Sequence, residues 1–113
     1  MRLQYSDLDS STRLIKLSGT LDIHGVSDVE VDFVRLCMGE NVCVLVDLSK
    51  VNYISSIGIP LLVNSAKSLA RQGGKMALLR PTQAVENVLE LTGIPLMIPI
   101  YDTVQTAVTQ LKK

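Results

Sequence analysis

Three features of the chain predict a single α/β domain with the element order ββαβαβαβα. The first is a near-continuous apolar, β-branched run, "NVCVLVDLS" (Asn41–Ser49), the pattern of a strand covered on both faces. The second is that segments with helical apolar spacing alternate with such short runs. That alternation implies parallel strands joined by right-handed crossovers. The third is punctuation, since Gly39, Gly73-Gly74 and Gly93 each follow a helical segment. One domain over residues 1–113 is expected, a mixed sheet of about five strands with helices packed on it.

The elements follow in order. Leu3–Ser6 and Arg13–Leu17 flank an Asp/Ser/Thr cluster and predict a hairpin. Val26, Val29, Phe33 and Leu36 or Cys37 then recur at helical spacing. Ser27 and Glu30 have the S-x-x-E form of a capping box, and Gly39 is placed to end this helix. After the Asn41–Ser49 strand, Ile59, Leu62, Val63, Ala66, Leu69 and Ala70 make the apolar stripe of a helix that starts no earlier than Ser56. "KMALLRP" is the next buried strand. Thr82 caps a short helix with Val85, Val88 and Leu89 inward. "PLMIPIY" predicts a last strand, at or near an edge because Pro99 removes a ladder donor. Asp102 and Gln105 bracket the start of a final helix, striped by Val104, Ala107, Val108 and Leu111.

Composition narrows the function. Hydrophobic residues make up 47% of the 113-residue chain and charged residues 19%, a globular balance. Eleven bases offset eleven acids and form no stripe, which argues against a nucleic-acid surface. Cys37 and Cys43 lie in apolar stretches without a metal-binding spacing, and reduced, buried thiols are expected. The N-terminus lacks a signal peptide's apolar stretch, and no run reaches the ~20 apolar residues of a membrane helix. These features predict a cytoplasmic protein without membrane insertion.

Enzyme chemistry finds little footing. His24 is the single histidine and sits at a helix entrance. Asp22 and Asp47 are not brought together by spacing, and an aspartate before a loop is usually a turn or cap residue. G-x-G-x-x-G, Walker and G-x-S-x-G patterns are absent from the sequence. What remains is "NYISSIGIP" (Asn52–Pro60), where two serines sit between a strand and a helix. Either Ser55 or Ser56 could serve as N-cap, contributing about 1 kcal/mol. The same place tolerates a phosphoryl group, because a helix N-terminus offers unpaired N–H groups and partial positive charge. Pro60 fits the first helical turn and leaves both serines at its mouth.

"GTLD" before the first helix, "VLVDLSKVNYISSIGIPLLVNSAKSLARQGGKMALL" in the middle and "VLELTGI" near the end resemble the bacterial anti-sigma factor antagonist family, the STAS domain. The resemblance spans nearly the whole chain. In that family the strand–helix joint commonly reads D-S-S-G-L, and its first serine is phosphorylated. On this chain Ser55 takes the aspartate's place, Ser56 that of the phosphorylated serine and Ile57 that of the second serine. Gly58 and Ile59 match the glycine and leucine. The resemblance implies partner switching. The unphosphorylated protein binds an anti-sigma factor that is itself a serine kinase, phosphorylation of Ser56 (Ser55 as runner-up) breaks the complex, and a serine phosphatase restores it. It implies a partner surface of Asp22, Ser55, Ser56, Ile57, Gly58 and Ile59. No cofactor or metal is expected on this chain, because the kinase holds ATP and magnesium. The alternative is a non-phosphorylated STAS subunit of a transport or secretion-regulating complex.

Overall fold

The Asp9–Thr12 turn reverses the chain, with Asp9 Oδ1 accepting the Ser11 N–H at 2.8 Å. The computed structural model describes residues 1–112. Both hairpin strands run longer than expected: β1 spans Arg2–Asp9 and β2 spans Thr12–Leu21, paired antiparallel. β1 is an exposed edge, so its polar side chains stay in water, and β2 pairs the backbone groups on its inner side only.

Helix α1 (Ile23–Leu36) buries Val26, Val29 and Phe33. Its cap is Asp22, not Ser27: Asp22 Oδ1 accepts the Gly25 N–H at 2.8 Å. Asp22 is the first side-chain acceptor after Leu21, where β2 ends, so the helix begins there and Ser27 and Glu30 lie exposed within it. Cys37 follows as the C-cap, and Gly39 takes φ +122° in the turn beyond.

Strand β3 covers Cys43–Ile54, five residues past the predicted Ser49 end. Helix α2 (Gly58–Arg71) buries Leu61, Leu62, Ser65 and Leu69, whereas Ala70, expected inward, is exposed. The stripe is centred one position away from Ala70, on the Leu62–Leu69 line. Gly73 (φ +80°) closes the helix, and the Gly74 N–H donates to the Leu69 carbonyl at 2.8 Å. Strand β4 is Lys75–Leu79.

Helix α3 (Gln83–Leu91) begins at Thr82 as predicted, with Thr82 Oγ1 accepting from the Val85 N–H at 3.4 Å. The same hydroxyl donates to the Val51 carbonyl of β3 at 3.2 Å. Thr82→Ala is expected to cost about 1–2 kcal/mol, because it removes a cap and a tether in one step. Urea unfolding checks this, with Thr82→Ser retaining most of the lost stability.

"PLMIPIY" is not one strand. Ile94–Leu96 forms a 3₁₀ turn and only Ile100–Tyr101 pair as β5, at the sheet edge. Pro95 and Pro99 lack the N–H that a ladder needs, although the Pro99 carbonyl still accepts from Leu78 at 2.9 Å. Helix α4 (Val104–Leu111) is capped by Thr103 rather than Asp102, with Thr103 Oγ1 accepting the Thr106 N–H at 3.1 Å.

The sheet order is β1-β2-β3-β4-β5, parallel except for β1. Helices α1, α2 and α3 bury one face through Phe33, Leu62, Leu69 and Leu89 against Val44, Val46 and Leu78. Helix α4 alone covers part of the other, against Leu14, Leu45, Ala77 and Leu79. It packs mainly on β3, β4 and β5 and reaches β2 at Leu14, which leaves the rest of the β1–β2 side of that face open.

Strand β3 carries two bulges. Its register with β2 shifts between Lys16/Ser18 and again between Gly19/Thr20. The core-facing residues therefore run Val44, Val46, Leu48, then Val51, then Ile54. Each bulge adds a residue and re-aims the side chains beyond it.

Candidate functional site

β2 and β3 end together, with Leu21 paired to Ile54. The Leu21 carbonyl then accepts two hydrogen bonds from Ser55, from its N–H at 3.0 Å and its Oγ at 3.3 Å. This fixes the start of the β3–α2 turn beside the start of α1. The turn closes when the Gly58 N–H donates to the Ser55 carbonyl at 2.9 Å. Asp22, Ser55, Ser56, Ile57, Gly58 and Ile59 are thereby gathered at one end of the molecule.

Neither serine caps α2. The residue before the helix is Ile57, in helical conformation and without a side-chain cap. Ser55 is instead anchored to β2, because the Leu21 carbonyl lies within reach and takes its hydroxyl. Ser56 is exposed, and among the described residues its hydroxyl has no hydrogen-bond partner. Ile57 is 47% exposed, Ile59 packs partly against the core, and Gly58 is buried. A Cβ at Gly58 would stand 2.8 Å from Leu21 Cγ and 2.9 Å from Ile54 Cγ1, so the tight exit from β3 needs a glycine.

Asp22 is half-buried at the neck of α1. The Gly25 N–H, opposed by partial burial and aided by His24, holds its carboxyl below the ordinary range. His24 itself is exposed, and no described hydrogen bond links it to either serine. Between α1 and α2 runs an apolar groove of about 340 Å³, lined by Val26, Glu30 and Val34 on one side and Ile57, Pro60 and Leu61 on the other. This groove was not legible from the chain, since it exists only between two helices that the fold brings side by side. Among the described residues no group of three or more His, Cys, Asp or Glu side chains could hold a metal ion. No described helix is long and apolar enough to cross a membrane.

Asp47 is not at a strand end. It lies within β3, 6% exposed, on the face opposite α1, and so is not brought to Asp22. Its Oδ1 accepts the Ser49 N–H at 2.9 Å and its Oδ2 the Arg80 guanidinium at 2.9 Å. Burial raises its pKa, but these hydrogen bonds and the Arg80 charge outweigh it and hold the carboxyl below the ordinary range. Arg80 sits at φ +47°, a left-handed conformation that residues other than glycine seldom adopt. A depressed folded-state pKa stabilises the fold above the unfolded value near 3.9, and that stability is lost as pH falls through the folded value. The urea midpoint of the wild type is therefore expected to fall more between pH 7 and pH 3 than that of Asp47→Asn. Equal falls would assign the acid sensitivity to other carboxylates.

Cys37 is buried, and burial pushes its thiol up to about 12, so it stays protonated and inert. Cys43, expected buried, is half-exposed, because it stands at the first position of β3.

A five-stranded sheet with one antiparallel edge, three helices on one face, one on the other and a serine turn beside the first helix defines a class. The STAS domain family model matches residues 6–107, and the chain belongs to that family. Among its relatives, the anti-sigma F factor antagonist of Paenibacillus polymyxa is 29% identical over 105 residues, covering 88% of this chain and 86% of that protein. A Thermotoga maritima protein with the provisional name of anti-sigma factor antagonist is 39% identical over 66 residues, a match that spans 58% of each chain. The structure of the anti-sigma factor antagonist SpoIIAA in its unphosphorylated form superposes with a TM-score of 0.81 at 20% identity, covering 98% of this chain and 96% of that one. The phosphorylated form of the Bacillus cell fate determinant SpoIIAA gives 0.72 at 20% identity, covering 96% and 98%. At that identity the two structures establish the shared fold.

Proposed function

We propose that this chain is an anti-sigma factor antagonist. It binds an anti-sigma factor that is also a serine kinase, and phosphorylation of Ser56 releases it. The observation that carries the reading is the Ser56 hydroxyl, exposed and unpartnered in a turn whose backbone is held by Ser55 and Gly58. A kinase can reach it without unfolding anything. The names of the Paenibacillus and Thermotoga relatives support the function. One neighbouring structure being of a phosphorylated form supports the chemistry.

In this reading Ile57 and Ile59 supply apolar contact, Gly58 lets the turn lie close to β2, and Ser55 and Asp22 fix the two helix starts that the partner meets. The kinase brings ATP and magnesium, a serine phosphatase resets the switch, and the cycle runs in the cytoplasm. Intact-mass measurement after incubation with the cognate kinase and ATP tests the assignment. One phosphate is expected on the wild type and on Ser55→Ala, and none on Ser56→Ala. A phosphate that survives Ser56→Ala and vanishes in Ser55→Ala moves the switch to Ser55. No phosphate on any form, with the kinase active on another substrate, rejects the switch and leaves a constitutive STAS subunit.

A further inference from the structure

The open part of the sheet, left uncovered by α4, carries a second polar feature. A cavity of about 140 Å³ there is lined by Gln4 of β1, Lys16 and Ser18 of β2, and Asp47, Ser49 and Lys50 of β3. It shares no residue with the serine turn. The first bulge of β3 builds it. In a regular strand Ser49 and Lys50 would point to opposite faces. The register shift between Lys16 and Ser18 instead places both on the open face, between the core residues Leu48 and Val51.

Charge in this cavity is unbalanced. Lys16 pairs in register with Asp47 and is the natural partner of its carboxylate. Yet both Asp47 oxygens are already engaged, one by the Ser49 N–H and the other by Arg80. Among the described residues neither Lys16 nor Lys50 has an ion-pair partner. Two lysines thus line a small polar cavity together with Gln4, Ser18 and Ser49, and the one carboxylate that lines it, Asp47, is already paired with Arg80.

We propose that this cavity binds a phosphate-type dianion, held by the Lys16 and Lys50 ammonium groups with hydrogen bonds from Ser18 and Ser49. Two ammonium groups match the charge of a dianion, and Lys16, Lys50 and Ser18 all line a volume suited to one tetrahedral group. Charge-assisted hydrogen bonds of this kind are about twice as strong as neutral ones. Asp47 lines the cavity as a carboxylate, and the Arg80 guanidinium at 2.9 Å offsets its charge.

The test is an NMR titration of the full chain with inorganic phosphate at constant ionic strength, with chloride as the screening control. Saturable shifts are expected in the amides around Lys16, Ser18, Ser49 and Lys50. The double variant Lys16→Gln, Lys50→Gln is expected to bind about tenfold or more weakly, and both side chains are exposed, so the packing is untouched. Two further arms separate sources of the group. Glycerol phosphate binding as well as inorganic phosphate identifies a soluble monoester, whereas pelleting with phosphatidic acid vesicles but not phosphatidylcholine vesicles identifies a lipid headgroup. Shifts that fail to saturate, that chloride reproduces, or that persist in the double variant overturn the proposal.

Discussion

Ser56→Asp is expected to weaken binding to the proposed anti-sigma factor partner by about 100-fold and to leave the stability of the free protein within about 1 kcal/mol of the wild type. The size follows from electrostatics. Fully reversing a complex takes about 5.5 kcal/mol of differential binding. A single like-charge contact at 4 Å is worth up to ~4 kcal/mol at an effective dielectric near 20. Aspartate carries one charge where a phosphate carries nearly two, so a partial effect is expected, near 2.8 kcal/mol or about 100-fold. The fold is indifferent for a separate reason. Ser56 is exposed, lies outside α2, and holds no described hydrogen bond, so nothing internal is lost. A carboxylate just before a helix adds at most about 0.3–1 kcal/mol of stability. Calorimetry of the complex and urea unfolding of the free chain measure the two halves. Equal affinity of wild type and Ser56→Asp would remove Ser56 from the interface, whatever modifies it.

Phe33→Ala has the largest expected effect on stability, a loss of about 3–5 kcal/mol. Phe33 is fully buried in the core beneath α1 and is the only phenylalanine in the chain. Its removal leaves a cavity that Val29 on the same helix, Cys37 at its C-cap and Val44 and Val46 on β3 cannot fill without moving backbone. Against a total of about 5–15 kcal/mol, that loss brings the protein near its threshold. With a urea slope of about 1–3 kcal/mol/M, the midpoint should fall by roughly 2 M. Phe33→Leu should recover more than half of the loss. A drop below about 1 kcal/mol would mean that α1 is not docked through this residue.

The two variants act at different depths of one structure, and much of that structure is legible in the chain. Apolar periodicity alone places four helices and the order of the strands, because burial of one stripe per helix leaves its spacing in the sequence. Phe33, Leu62, Leu69, Val85 and Leu89 are all found inside, as their spacing requires. Thr82, Gly73 and Gly93 mark helix ends that the structure retains. The serine turn could be located for the same reason: it is the polar interruption between two apolar segments.

Helix entrances and strand lengths escape this reading. Ser27 and Glu30 have the form of a cap, yet Asp22 caps α1, because β2 ends at Leu21 and the helix starts at once. Ser55 and Ser56 have the right chemistry for α2, yet Ser55 turns to the Leu21 carbonyl, a group 34 positions away in sequence. The end of β3 is the sharpest case. Leu48, Val51 and Ile54 recur every third residue, which reads as something other than a strand. Two bulges against β2 produce that spacing and keep all three residues in the core. Local sequence records which side chains are buried and how often. Which oxygen accepts a hydroxyl, and where a ladder slips, is decided by a neighbouring strand that only the folded sheet brings near.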